Sequence, residues 1–275
     1  MHRRAPEPPA PARGRQTPAA TQRAPADAGG QPAERPTAER PRRLRIALGG
    51  YRLALAGLEL LALFGNFNYV LGFSSFATNN FFSYFTIQSA MIAVVVLITG
   101  GITALLRPRD PHWLSIMRTV TMCYLLVSGI VFAVIVAQAS SHAYRIEVPW
   151  SDTLLHFVVP VLALLGWFVD AVISPRSDPM PWSTLGWVLP FPTLWLVFTL
   201  VRGADVGWYP YFFLDPAQVG GPLGIAFYCL LVLGIFLGVS ALLVAVSRKV
   251  TARATSLRER LLRENTAQEK PAPWQ

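Results

Sequence analysis

Two side chains of complementary chemistry sit inside runs otherwise suited to hydrocarbon: a hydroxyl at Thr86 and an imidazole at His156. A threonine hydroxyl is a weak nucleophile until a base removes its proton, and a neutral imidazole is well matched to that task. The other histidines, His2, His112 and His142, lie outside the apolar runs, so His156 is the one intramembrane candidate for the base. Asp152 stands one helical turn before His156, where a carboxylate can fix the tautomer of an imidazole or simply be a hydrated rim residue. Glu59 lies in a separate apolar run. Ionisable groups retained in hydrocarbon cost several kcal/mol, which makes each a site candidate.

The segments around the pair carry further polarity. Tyr84-Phe85-Thr86-Ile87-Gln88-Ser89 follows Asn79, Asn80 and Ser83, an unusually polar start for a lipid-facing helix. Thr86 and Ser89 read equally as residues that bond back to preceding carbonyls or glue helices together. In Leu154-Leu155-His156-Phe157-Val158-Val159-Pro160, the residues Asp152, His156 and Pro160 form one helical stripe. Pro160 has no N–H for the carbonyl of His156, which predicts an unpaired acceptor, a kink and a polar pocket there. A structural histidine bonded to a neighbouring helix is the plainer alternative.

The elements that must position these groups follow from composition. Of 275 residues, 53% are hydrophobic and 14% charged, and mean hydropathy is +0.40. Soluble domains carry about a quarter charged residues. Residues 46–247 contain seven Arg and no Lys. They hold six apolar runs, near 46–65, 84–106, 114–138, 153–173, 183–201 and 222–246, each long enough to cross a bilayer. The predicted fold is all-α, a polytopic membrane protein of six transmembrane helices. Trp113, Trp150, Trp182 and Trp208 mark predicted ends. Cys123 and Cys229 both lie in apolar runs, so no disulfide framework is expected.

Lys and Arg are distributed asymmetrically. The N-terminal 45 residues hold ten, the 107–118 loop three, the 174–182 loop one and the segment from 248 seven; the opposite loops hold only Arg145 and Arg202. Retention of positive charge on the cytoplasmic side predicts cytoplasmic termini in a cell membrane. Arg52 is expected to snorkel from the first span, and Asp170 to be a solvated helix-end charge. Residues 1–45, rich in Arg and Pro, read as a disordered tail, and 248–275 as a basic tail at anionic lipid or a solvated stop-transfer segment. The net charge of +9 therefore belongs beside the membrane, and no nucleic-acid partner is expected. Counting rise along each helix places Thr86 about 8 Å and His156 about 6 Å below the outer rim, with Glu59 about 21 Å from the cytoplasmic face.

There is no G-x-S-x-G elbow, H-E-x-x-H helix, P-loop or intramembrane Lys, so no cofactor or metal is expected. Tyr84-Phe85-Thr86-Ile87-Gln88-Ser89, Leu154-Leu155-His156-Phe157-Val158-Val159-Pro160 and Trp208-Tyr209-Pro210-Tyr211-Phe212-Phe213-Leu214-Asp215 resemble the bacterial branch of the androgen-induced and androgen-dependent TFPI-regulating transmembrane protein family. The resemblance covers about residues 45–247. Animal members are multi-pass hydrolases of fatty acid esters of hydroxy fatty acids that use an intramembrane Thr and His. It implies Thr86 as nucleophile, His156 as base and a lipid ester as substrate.

Two readings are open at this level. In one, a hydrolase admits a membrane lipid ester sideways from the outer leaflet, with Asp152, Gln88 and Glu59 supporting the pair and Tyr84, Trp208, Tyr209 and Arg202 binding substrate. In the other, the protein is a non-enzymatic lipid- or solute-binding module, transporter or regulatory partner whose polar residues form a network. The absence of matched discontinuous helices and the crowding of polar groups toward one leaflet disfavour transport.

Overall fold

The computed structural model describes residues 42–72, 80–141, 148–173 and 179–268. Most of the predicted disordered tail, residues 1–41, lies outside them, as do Arg145 and Arg176. Six helical rods are long and apolar enough to cross a membrane, and no strand occurs among the described residues. Three are simple: α1 (Arg42–Leu71), α2 (Phe85–Leu106) and α3 (His112–Ser141). The fourth rod joins α4 (Trp150–Thr153), a π-helical turn (Leu154–Val158) and α5 (Val159–Ile173). The fifth joins α6 (Thr184–Val188) and α7 (Pro190–Val206), and after the short α8 (Pro216–Val219) the sixth is α9 (Pro222–Gln268). Trp113, Trp150 and Trp182 stand exposed at rod ends.

The rods are broken where proline dictates, and each break is repaired by a neighbour. Pro192 cannot donate to the carbonyl of Val188 four residues back, and the Tyr124 hydroxyl on α3 donates to it instead at 3.1 Å. Pro160 likewise deprives the His156 carbonyl, and the helix widens into the π turn, with Val159 N–H donating to Leu154 O. Two ends differ from the sequence expectation. The first rod runs past residue 65 because Asn66 and Asn68, which look like a helix end, are satisfied: Asn66 Nδ2 donates to Ser151 and Asp152, and Asn68 Nδ2 to Phe64 O. The last rod continues past 246 because residues 239–268 contain neither Gly nor Pro and are rich in helix formers.

In lipid, helices associate through close packing and hydrogen bonds, since the hydrophobic effect does not distinguish a partner helix from an acyl tail. The α1–α2 seam is accordingly built from small residues. Ala56, Ala62, Ala90, Ala93 and Ala104 are all buried, and a Cβ at Gly49 would fall 2.8 Å from the Leu105 side chain. A second set of bonds fixes the far end of the bundle, where α2 and the fourth rod begin: Trp195 Nε1 donates to Ser83 O at 2.9 Å. That bond holds the turn before α2.

Toward the other end, where α1 begins, two sequence expectations are overturned. Arg52 does not snorkel and Asp170 is not solvated; both are buried. Arg52 Nη2 lies 3.0 Å from Asp110 and 3.3 Å from Asp170, while Arg118 Nη1 lies 3.2 Å from Asp110 and 2.8 Å from Asp170. Arg52 Nη1 also donates to Gly100 O at 2.7 Å. Two cations and two anions from α1, the α2–α3 connection, α3 and α5 thus close a neutral cluster. Desolvated charges persist only with such partners.

Candidate functional site

Thr86 is the second residue of α2, and three features fix it there. Tyr84, in extended conformation, caps the helix; Trp195 holds the preceding turn; and Ser89 Oγ donates to Thr86 O at 3.0 Å. His156 sits in the π turn, its main chain against α3. A Cβ at Gly129 would overlap the His156 carbonyl oxygen, so only glycine allows this approach. The imidazole stacks on Phe132, with centroids 3.8 Å apart and planes 10° apart.

The structure brings the hydroxyl and the ring together. Thr86 Oγ1 is 3.2 Å from His156 Nε2 and 2.8 Å from Ser128 Oγ on α3, and His156 Nδ1 is 3.0 Å from the main-chain oxygen of Asp152. These distances order the protons. A carbonyl only accepts, so Nδ1 carries the ring proton and Nε2 presents a lone pair. Thr86 therefore donates its one proton to Nε2, and the Ser128 hydroxyl must donate to Thr86 Oγ1. His156 is 7% exposed, which shields the arrangement from water.

The supporting residues anticipated from sequence divide. Asp152 orients the imidazole through its main-chain carbonyl, whereas its carboxylate accepts from Asn66 Nδ2 at 2.5 Å. Gln88 is not at the hydroxyl; its Nε2 donates to Phe82 O at 2.9 Å and braces the turn before α2. Glu59 is fully buried, and neither oxygen has a hydrogen-bond partner among the described residues. It lies on the α1 stripe with Arg52 and Asn66, seven residues from each. Tyr84 borders the site, its ring edge-to-face with Trp208 and Tyr211. Burial, and then the Asp152 charge, hold its phenol above the ordinary tyrosine range. Arg202 donates to Asn80 Oδ1 at 2.5 Å and lies 5.6 Å from the Trp208 ring centroid, and Tyr209 lays its ring over Gly203. These last three form a cap beside the site.

Two residues escaped the sequence reading. Ser128 is one of several hydroxyls on α3 and has no local signature. The half-buried Tyr211, two residues beyond the anticipated Tyr209, interacts through its phenol oxygen with the Thr86 side chain and with the main chain of Thr86 and Phe85. Its ring stacks on Phe213 with centroids 5.2 Å apart and meets Trp195 at 5.8 Å.

Thr86, Ser128, His156 and Tyr211 share one wall of a cavity of about 460 Å³. Its remaining lining is mainly apolar, including Val131 and Ile135 from α3, Leu196 from α7 and Leu230 and Leu233 from α9. Leu230 is 68% exposed, so this wall reaches the lateral surface of the bundle. A volume in this range suits a ligand of drug or acyl-chain size. Compared with family models, curated proteins and solved structures, the chain matches none. Among the described residues, no group of three His, Cys, Asp or Glu side chains converges to hold a metal.

Proposed function

We propose that this membrane protein is an intramembrane hydrolase that cleaves a lipid ester with Thr86 as nucleophile and His156 as general base. The observation that carries the reading is the 3.2 Å approach of Thr86 Oγ1 to the unprotonated Nε2 of His156 at the wall of a largely apolar cavity. Nucleophile, base and orienting group within hydrogen-bond reach are the geometry that acyl transfer requires. In the first half-reaction Thr86 Oγ1 bonds to the ester carbon, its proton passes to Nε2, and the carbonyl electron pair moves onto oxygen. Collapse of that adduct breaks the bond to the alcohol oxygen, which leaves with the proton from Nε2. Water then attacks the threonyl ester with His156 again as base, releasing the fatty acid and restoring the hydroxyl.

The apolar lining and the surface position of Leu230 suit a substrate that arrives from the bilayer between α7 and α9. The excess of Lys and Arg in the terminal segments favours cytoplasmic termini, which puts the site in the outer leaflet. The three sequence motifs support membership of the androgen-induced and androgen-dependent TFPI-regulating transmembrane protein family, and the Thr–His pair agrees with that reading.

The test uses the purified full chain in detergent, a long-chain 4-nitrophenyl ester and a fluorophosphonate that attaches to activated hydroxyls. Thr86→Ala and His156→Ala are each expected to lower turnover about 10³-fold or more and to abolish attachment, with unfolding temperature close to wild type. Attachment that persists in Thr86→Ala, or turnover that survives His156→Ala, overturns the assignment.

A further inference from the structure

The adduct described above places a full negative charge on the former carbonyl oxygen, and in a cavity lined mainly by apolar groups that charge demands a donor. The sequence suggested Gln88, Tyr209 and Arg202. None serves: Gln88 is bound to Phe82 O, Tyr209 lies over Gly203, and Arg202 is engaged with Asn80 and Trp208. His156 is committed to the proton of Thr86, and Ser128 to its oxygen.

Tyr211 remains. Its hydroxyl meets the Thr86 side chain, and its oxygen meets the main chain of Phe85 and Thr86, the first two residues of α2. The N–H groups there have no acceptor within their own helix, so they are the main-chain partners available to the phenol oxygen. The proton directions leave one orientation for the phenol: its oxygen accepts from the main chain, and its O–H points to Thr86 Oγ1. That oxygen is the atom that bonds to the ester carbon, so the carbonyl oxygen forms one bond further on, still within reach of the same O–H.

We infer that Tyr211 is a catalytic residue of this site, the hydrogen-bond donor to the oxyanion formed when Thr86 attacks an ester. The inference rests on the hydrolase reading. Tyr211 gives a hydrogen bond and no proton, so the proton inventory of the two half-reactions is unchanged. Main-chain donors behind its oxygen polarise the O–H and strengthen it. Burial pushes the phenol up to about 12, which keeps it a donor throughout the neutral and mildly alkaline range. Aromatic packing on Trp195 and Phe213 holds the ring, so the donor is already in position when the charge appears.

The test compares wild type, Tyr211→Phe and Tyr209→Phe as full-length proteins, with the 4-nitrophenyl ester, an alkyl trifluoromethyl ketone and the matching methyl ketone. The trifluoromethyl ketone forms an oxyanion adduct with an active hydroxyl; the methyl ketone occupies the same cavity without one. Tyr211→Phe is expected to lower kcat by ~10²–10³-fold and to weaken the trifluoromethyl ketone by a similar factor. KM and methyl ketone affinity should stay within about threefold, and Tyr209→Phe should match wild type. Tyr211→3-fluorotyrosine, which keeps the hydroxyl, should retain turnover within about threefold and separates a lost donor from a disturbed fold. Equal weakening of both ketones, or turnover in Tyr211→Phe close to wild type, overturns the assignment of Tyr211 alone. A wild-type protein that neither turns over the ester nor takes fluorophosphonate at Thr86 overturns this inference and the hydrolase reading together.

Discussion

Two polar clusters lie in the same bundle, and their difference separates structure from chemistry. Toward the end where α1 begins, Arg52, Asp110, Arg118 and Asp170 neutralise one another at distances of 2.8–3.3 Å beside a cavity of only about 40 Å³. At the other end, Thr86, Ser128 and His156 carry no ion pair and face a cavity of about 460 Å³. The first cluster joins rods through mutually satisfied charges and leaves little room for a ligand. The second uses neutral groups whose hydrogen bonds run in one direction, toward a basic nitrogen, and it has space in front of it. A saturated ionic lattice holds helices; an ordered hydroxyl–imidazole chain beside a cavity can react. Glu59, midway along the α1 stripe between them, belongs to neither.

Substitutions that disable one cluster should spare what the other does. The largest effect is expected for Asp170→Ala, which leaves two buried guanidinium groups facing one carboxylate. It should cost about 3–5 kcal/mol of stability, seen as a large drop in unfolding temperature in micelles, and remove activity only by unfolding the site. The double substitution Arg118→Met with Asp170→Leu, which removes one charge of each sign, should recover much of that loss; failure to recover breaks the view of this cluster as a neutral clamp. Gly129→Ala is expected to act on the other cluster. The added methyl overlaps the His156 carbonyl oxygen and pushes the π turn off α3, so turnover should fall about 10²-fold, well beyond the loss of stability in the same micelles. Parallel loss of both would show that the π turn is merely a packing contact. Ser128→Ala should have the smallest effect, about tenfold in kcat with an unchanged unfolding temperature, because it removes one donor that fixes the Thr86 rotamer while the proton path to His156 persists.

Much of this arrangement was legible along the chain. Depth counted at the helical rise brought Thr86 and His156 to one level from different rods, and Pro160 announced an irregular turn at His156. The same counting misjudged Arg52 and Asp170. Each lies near a helix end, where solvent is the simple expectation, and nothing local reveals that three further charges converge on them from other elements. Ser128 was missed because Ser115, Thr119 and Thr121 share its span and differ only in the direction they face. Tyr211 was missed because the aromatic run Trp208 to Phe213 offers two phenols, and the choice between them depends on a chain reversal between α7 and α8. Asp152 was found, but the atom that acts is its carbonyl and not its carboxylate.

The sequence by itself determined six apolar rods, their approximate ends and the scarcity of polar groups inside them. The cost of exposing a backbone or a charge to hydrocarbon accumulates residue by residue, so it can be read without knowing the neighbours. Only the tertiary structure decided which hydroxyl meets the imidazole, which carboxylates face which guanidinium groups and where the cavity opens. Those outcomes depend on the rotation of each helix about its own axis, and that rotation is set by all the packing contacts at once.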